Sequence, residues 1–277
     1  MNTEMTERLL RFQHPEKVLG YLGGLDDDRL ATLFGLDTAT YRRVRRFHEE
    51  QARGAAAELL DAPGFAEKVD RLPFAPGQRV LAVGESTTDD LLSWFEILRH
   101  LLDLRRPADG ITLINAAVTG QTTTQALAAL PGLSLHHPDW VLCMLGGNDA
   151  RRLAADGPTL VSLDETERNL HTLRDLLVRR TAARWAWITP APLDEERVAA
   201  YPHFRRAAIG WANRDIDAIG KILNAQPDLT VDSRPVISRQ GGERFHLDDG
   251  LHLSLAGQQA LAAALVEALA DTRADRP

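Results

Sequence analysis

Ser86, Gly120, Asn148, Asp249 and His252 are the residues of this 277-residue chain whose types and settings suit nucleophilic catalysis. Ser86 lies in Gly84-Glu85-Ser86-Thr87-Thr88-Asp89-Asp90, where an apolar run gives way to a helical one through Leu91, Leu92, Phe95 and Leu98. A serine at such a strand-to-helix turn presents its hydroxyl above the sheet edge, and its N–H lies near a helix start, where developing negative charge is favoured. Taken alone, the same position equally suits Ser86, Thr87 or Thr88 as an ordinary helix cap. Gly120 follows an apolar run in Asn115-Ala116-Ala117-Val118-Thr119-Gly120-Gln121, and Asn148 follows another in Gly146-Gly147-Asn148-Asp149. Strand-end glycines expose backbone N–H groups and Asn148 adds an amide donor, as an oxyanion site requires, although Gly and Asn are also ordinary turn residues. In Asp248-Asp249-Gly250-Leu251-His252, an Asp three residues before a His can reach the imidazole Nδ1 in a tight loop and leave Nε2 facing outward.

Other chemistry finds less support. His136-His137 with Asp139 has no evident third ligand and precedes a strand, so a solvated loop is expected there and no metal. Cys143 is the single cysteine, which excludes an intrachain disulfide and a multi-cysteine zinc site; its apolar setting predicts a core position. Position 88 is Thr, not the Gly of a G-x-S-x-G elbow, and no G-x-x-x-x-G-K-[ST], G-x-G-x-x-G or H-E-x-x-H run occurs.

The elements that must hold these residues read as an α/β fold. From Pro76 onward, β-like runs at 79–83, 111–118, 140–145, 184–188 and 229–232 alternate with amphipathic helical runs, the signature of βαβ units. Helices are predicted over 165–180, with Thr166, Leu170, Leu173 and Leu177 on one face, and over 205–223, with Ile209, Ala212, Ile216 and Ile219 on one face. A last helix follows Ser254 as N-cap, with Leu261, Leu265 and Leu269 on one side. The expected architecture is a three-layer α/β/α, flavodoxin-like, doubly wound parallel five-stranded sheet. In such a sheet functional groups sit just past the carboxyl ends of the strands, where Ser86, Gly120 and Asn148 fall.

Residues 1–75 precede this pattern and read as an N-terminal helical extension to a domain of residues 76–277. Pro15 opens a predicted helix ending at Gly23-Gly24, Asp26 to Asp28 cap a short one through Phe34, and Asp37 caps the next. In that helix Tyr41, Val44, Phe47, His48, Gln51, Ala55 and Leu59 form an apolar stripe opposite Arg42, Arg43, Arg45 and Arg46. The stripe must pack on the rest of the chain, and these helices also offer a surface for homo-oligomerisation. Lys plus Arg number 32 against 39 Asp plus Glu, for a net charge of −7, so the arginine cluster is read as a solvated face and no nucleic-acid partner is expected. No stretch is apolar enough to span a membrane, and the charged residues of 1–17 do not make a secretory signal, so a cytoplasmic location is the expectation.

Together, a strand-end Ser, Gly and Asn followed by a late Asp-x-x-His, in this order on a doubly wound pattern, resemble the SGNH hydrolase superfamily, the GDSL-type esterases and lipases. The resemblance covers about residues 76–272 and is most specific at Gly146-Gly147-Asn148-Asp149 and Asp249-Gly250-Leu251-His252. It implies a serine hydrolase cleaving carboxylic esters of small or acylated substrates through an acyl-enzyme. In that reading Ser86 is the nucleophile, His252 the base oriented by Asp249, and the Ser86 N–H, Gly120 and Asn148 the oxyanion hole; no cofactor is required. The same residues would serve an acyltransferase, and a catalytically silent SGNH-like binding protein is the non-enzymatic alternative. This chain departs from the family pattern in two places: the usual Gly-Asp-Ser-Leu reads Gly84-Glu85-Ser86-Thr87, and the Gly often found four residues after the Ser is Asp90. Loops 151–158 and 193–204 are expected to shape the substrate site, with Trp94, Arg151 and Arg152 as neighbours of the pocket.

Overall fold

The computed structural model describes residues 3–19, 22–154, 156–240 and 242–274. Its centre is a five-stranded sheet, with β1 Arg79–Gly84, β2 Thr112–Asn115, β3 Trp140–Met144, β4 Arg184–Ile188 and β5 Leu229–Val231. The order is β2-β1-β3-β4-β5 and every pairing is parallel. This is the flavodoxin-like doubly wound arrangement, and its order reverses between β1 and β3. The central strands β1 and β3 are apolar on both faces because helices cover both, as a parallel sheet requires. Cys143 is fully buried in β3, and His136 and His137 lie before that strand, at the sheet end remote from Ser86.

On one face, Leu170, Leu173 and Leu177 of helix Leu163–Thr181 and Ile216, Ile219 and Leu223 of helix Asn213–Asn224 pack with Leu81, Val83, Val141 and Cys143. On the other, helices Trp94–Arg105 and Leu255–Ala274 pack with Val80, Ala82, Leu142 and Met144. Ala52, Ala55 and Ala56 of the 24-residue helix Thr38–Asp61 join that second core, as do Phe65, Val69, Leu72 and Phe74. Asp26 and Asp37 cap their helices by accepting from the N–H groups of Arg29 and Thr40, and Ser254 Oγ accepts from Gly257 N–H at the start of the last helix.

Several sequence expectations need correction. The predicted helix over 205–223 is divided into a helix Pro202–Ala207, a two-residue strand Ile209–Gly210 and the helix Asn213–Asn224. Ala208 adopts a left-handed φ of 51°, which ends the first helix, and Ile209 pairs with Leu153 in a small antiparallel ribbon. The second strand stops at Asn115, three residues short, because the Asn115 side chain turns back to cap the chain at Ala117 N–H. Phe47 is 52% exposed, and Ala52 and Ala56 take its place on the buried stripe. At about 100° per residue Phe47 lies about a third of a turn away from Tyr41, His48 and Ala55. Pro15 opens only the single turn Pro15–Val18, and residues 20–21 of the predicted helix lie outside the described residues. The helix Thr3–Phe12 ahead of it falls within the expected helical extension, although no separate helix is predicted there.

Candidate active site

β1 runs directly into the turn that carries Ser86. Gly84 is needed at its end because a Cβ there would stand 2.6 Å from Thr88 Oγ1 and 2.8 Å from the Met144 carbonyl. Glu85 is extended, and Ser86 is the first residue of the short helix Ser86–Asp89. Two side chains clamp this turn from outside. Asn115 Nδ2, at the end of β2, donates to the Thr88 carbonyl at 2.8 Å, and Gln258 Nε2, in the last helix, donates to the Thr87 carbonyl at 3.0 Å. Ser86 is buried, and its N–H has no hydrogen-bond partner among the described residues.

His252 reaches Ser86 from the loop ahead of the last helix, with Nε2 3.1 Å from Ser86 Oγ. Its Nδ1 is 2.7 Å from Asp249 Oδ2. Asp249 Oδ1 accepts from the N–H groups of Leu251 and His252, both at 2.9 Å, so the loop's own backbone holds the carboxylate. Burial alone would raise the Asp249 carboxyl, but the hydrogen bond and charge of His252 and these N–H groups outweigh it and hold it well below the usual range. With the Nδ1 proton directed at Asp249, Nε2 is left to accept from the Ser86 hydroxyl.

Gly120 has φ +82°, a backbone state that favours glycine, and its N–H has no partner among the described residues. Asn148 Nδ2 donates to Glu85 Oε2 and, at 3.3 Å, to the Gln121 carbonyl. Glu85 also accepts from Gly147 N–H and Asn148 N–H, both at 2.9 Å. Gly147 permits this approach, since a Cβ there would lie 2.5 Å from Glu85 Oε1. Complete burial raises the Glu85 carboxyl to about 8 against the opposing pull of the three N–H donors. Asp149, next in the chain, accepts from Thr123 N–H at 2.9 Å, from Thr123 Oγ1, and from Thr166 Oγ1 at 3.0 Å, tying the Asn148 turn to the loop after Gly120.

The five residues singled out from the sequence are thus assembled by the carboxyl ends of β1, β2 and β3 and the loop before the last helix. Other expected neighbours are elsewhere. Trp94 is fully buried in the core against Phe95, and Arg152 is ion-paired with Asp215 at 2.7 Å beside a different cavity. The hollow at Ser86 is instead walled by Met144, Pro190, Leu193, Trp211, Ile216 and Leu251, and holds a volume of about 30 Å³. Trp211 is fixed by its Nε1–H donating to the Gly147 carbonyl at 3.0 Å.

A second set of residues reaches this site from the N-terminal helices. Arg8 Nη2 donates to Asp249 Oδ2, and Arg8 Nη1 donates to Asp248 at 2.6 Å. Phe12 lies with its ring centroid 4.6 Å from that of His252. Arg11 makes a two-bonded pair with Asp90, while His14 Nδ1, at 2.7 Å, and Lys17 Nζ both meet Asp89. Asp89 Oδ2 in turn accepts from Thr119 N–H at 2.8 Å, beside Gly120. Paired carboxylates at 89–90 and 248–249, with basic residues at 8, 11 and 17, are the only trace in the sequence, and charge pairing across such separations has no periodicity to reveal it.

A buried serine, an imidazole and a carboxylate are linked in series at the switch point of a doubly wound sheet, an arrangement able to support nucleophilic chemistry at the serine. The chain belongs to the GDSL-like Lipase/Acylhydrolase family, whose model matches residues 82–260. Over 42 residues it is 50% identical to the Thioesterase 1/protease 1/lysophospholipase L1 of Escherichia coli strain K12, a match spanning 15% of this chain and 20% of that protein. The same match is found with the protein of that name from Escherichia coli O6:H1. Among solved structures, the fold is similar to that of LAE5, an alpha/beta hydrolase enzyme from the metagenome of Lake Arreo, Spain. That likeness has a TM-score of 0.56 and 22% identity, and covers 71% of this chain and 96% of that one. It is also similar to a catalytic mutant of Axe2, an acetylxylan esterase from Geobacillus stearothermophilus, with a TM-score of 0.58, 22% identity, and coverage of 71% of this chain and 95% of that one. At this identity the two likenesses concern the fold.

Proposed function

We propose that the protein is a carboxylic ester hydrolase working through an acyl-enzyme on Ser86. The observation that carries this reading is the hydrogen-bonded series Ser86 Oγ, His252 Nε2, His252 Nδ1, Asp249 Oδ2, at 3.1 and 2.7 Å. In it, Ser86 Oγ attacks the ester carbonyl as its proton passes to His252 Nε2, and Asp249 stabilises the imidazolium formed. The oxygen that becomes negative is met by the N–H groups of Ser86 and Gly120, which have no partner among the described residues, and by Asn148 Nδ2. Asn148 can turn to it by exchanging its long 3.3 Å contact with the Gln121 carbonyl, while Glu85 retains the other amide hydrogen. The imidazolium returns its proton to the departing alcohol, the ester C–O bond breaks, and a water activated by His252 then cleaves the acyl-enzyme to acid and free Ser86.

The small hollow at Ser86 supports short acyl groups as substrates. About 30 Å³ exceeds the ~10–15 Å³ that admits one water and accommodates an acetyl methyl, not an extended chain. The acetylxylan esterase neighbour is in keeping with this size. The test is hydrolysis of p-nitrophenyl esters from acetate to palmitate by the wild type, Ser86→Ala and His252→Ala, with and without an added acceptor alcohol. Expected are an optimum at acetate, loss of turnover in both variants, and free acid as the main product. A fully active Ser86→Ala protein would overturn the assignment, and ester products from the acceptor alcohol would make the protein a transferase.

A further inference from the structure

The helix Thr3–Phe12 lies outside the region matched by the family, yet it touches the Asp249–His252 pair directly. Arg8 forks across two adjacent carboxylates, with Nη1 on Asp248 and Nη2 on the same Asp249 oxygen that accepts from His252 Nδ1. Asp249 is almost wholly buried, so both its oxygens are accounted for by Arg8, His252 and two backbone N–H groups. One turn further along, Phe12 covers the imidazole. The helix is held in this place by Arg11, which bonds both Asp90 oxygens and the Leu253 carbonyl next to His252. The Arg8 guanidinium also lies over the Tyr201 ring at 5.4 Å.

We infer that Arg8 is a positioning residue for the hydrolytic reaction, fixing the Asp249 carboxylate against His252 from the N-terminal helix, with Phe12 as the wall that limits the imidazole's rotation. The inference rests on the reading of His252 as general base. Arg8 removes the freedom of Asp249 to swing away from Nδ1, and reacting groups displaced by about 1 Å lose rates on the order of a hundredfold. It also sets a positive charge beside the carboxylate that faces the imidazole, offsetting part of that carboxylate's charge. Among the described residues, Arg8, Asp248 and Tyr201 face this pair, Arg197 and Asp194 pack against the same loop at Gly250 and Leu247, Arg11 and its partner Asp90 lie on the far side of Leu253, and Ser86 is at Nε2.

The test compares Arg8→Ala and Arg8→Lys with the wild type in kcat, KM and the pH profile of kcat/KM on p-nitrophenyl acetate. Thermal unfolding is followed alongside, and Arg42→Ala, which breaks an exposed pair with Asp27 in the same extension, is the control. Arg8→Ala is expected to lower kcat about tenfold with KM within about twofold, and to move the acid limb of the profile upward as a cation is removed from beside the Asp249–His252 pair. Arg8→Lys, which keeps the charge but not the fork, recovers the acid limb and part of kcat, and Arg42→Ala matches the wild type. An Arg8→Ala protein with unchanged kcat and an unmoved acid limb overturns the inference. So does a loss of activity that follows a lost unfolding transition equally in both Arg8 variants, which would make the contact purely structural. Failure of the underlying reading is distinct, because Ser86→Ala would then retain turnover.

Discussion

Arg11 and Asp90, 79 residues apart, meet through two hydrogen bonds, Nε to Oδ1 at 2.7 Å and Nη2 to Oδ2 at 2.6 Å. Asp90 stands where the related pattern often has glycine, and Arg11 belongs to the helix that precedes the family match. Asp90 and the N-terminal helix are therefore one feature: the carboxylate beside the Ser86 turn exists together with the arm that neutralises it.

Breaking that pair leaves a charge with no exposed surface. Among the described residues, Asp90 would keep only Leu92 N–H and Gln258 Nε2 as donors. Arg11→Ala is expected to cost about 3–5 kcal/mol in urea unfolding, and Arg11→Ala/Asp90→Asn to recover part of it by removing the stranded charge. Equal stabilities of the single and double variants would show that Asp90 is not stranded.

On the proposed mechanism, Asn148→Ala removes one donor to the developing oxyanion while leaving Ser86 and His252 unaltered. Steady-state kinetics should show a fall of ~10²- to 10³-fold in kcat. A loss confined to KM would place Asn148 in ground-state binding instead.

Glu85 gives the fold a pH dependence whose sign can be worked out. Its carboxyl is raised from an ordinary 4.5 to about 8, so its contribution to stability is complete below pH 4.5 and is lost as pH rises through 8. Glu85→Gln cannot ionise, and its amide hydrogens oppose the donors of Gly147 and Asn148. The Tm of wild type minus that of Glu85→Gln should therefore be largest near pH 4.5 and shrink toward pH 8. A difference that stays constant over this range would rule out the raised carboxyl.

Leu193 walls the small hollow at Ser86 and is itself buried. Leu193→Ala should move the ester optimum from acetate toward butyrate or hexanoate, measured as kcat/KM across the series. Retention of a strict acetate optimum would place the acyl group against another wall, formed by Trp211 or Ile216.

Much of this molecule was legible in the linear pattern because its causes are local. Alternating apolar runs and amphipathic periods specify the layers, so the helix expected at 165–180 is found as Leu163–Thr181 with the same four residues buried. Strand ends place Ser86, Gly120 and Asn148 at one sheet edge by topology alone, and a three-residue interval places Asp249 against His252. Where local signals ended, errors began. The apolar spacing through 205–223 could not show that Ala208 would turn left-handed, nor that Trp94 would enter the core while Trp211 walled the hollow.

What the sequence determined by itself is the α/β scaffold and the residue types that meet on it, since both follow from periodicity and short spacings along the chain. What only the tertiary structure decided is the contact of that site with residues 8–17: Arg8 on Asp249, Phe12 on His252, Arg11 on Asp90, Lys17 and His14 on Asp89. Ion pairs and ring contacts are set by distances through space, and residues separated by up to 241 positions leave no regular interval for a linear reading to detect.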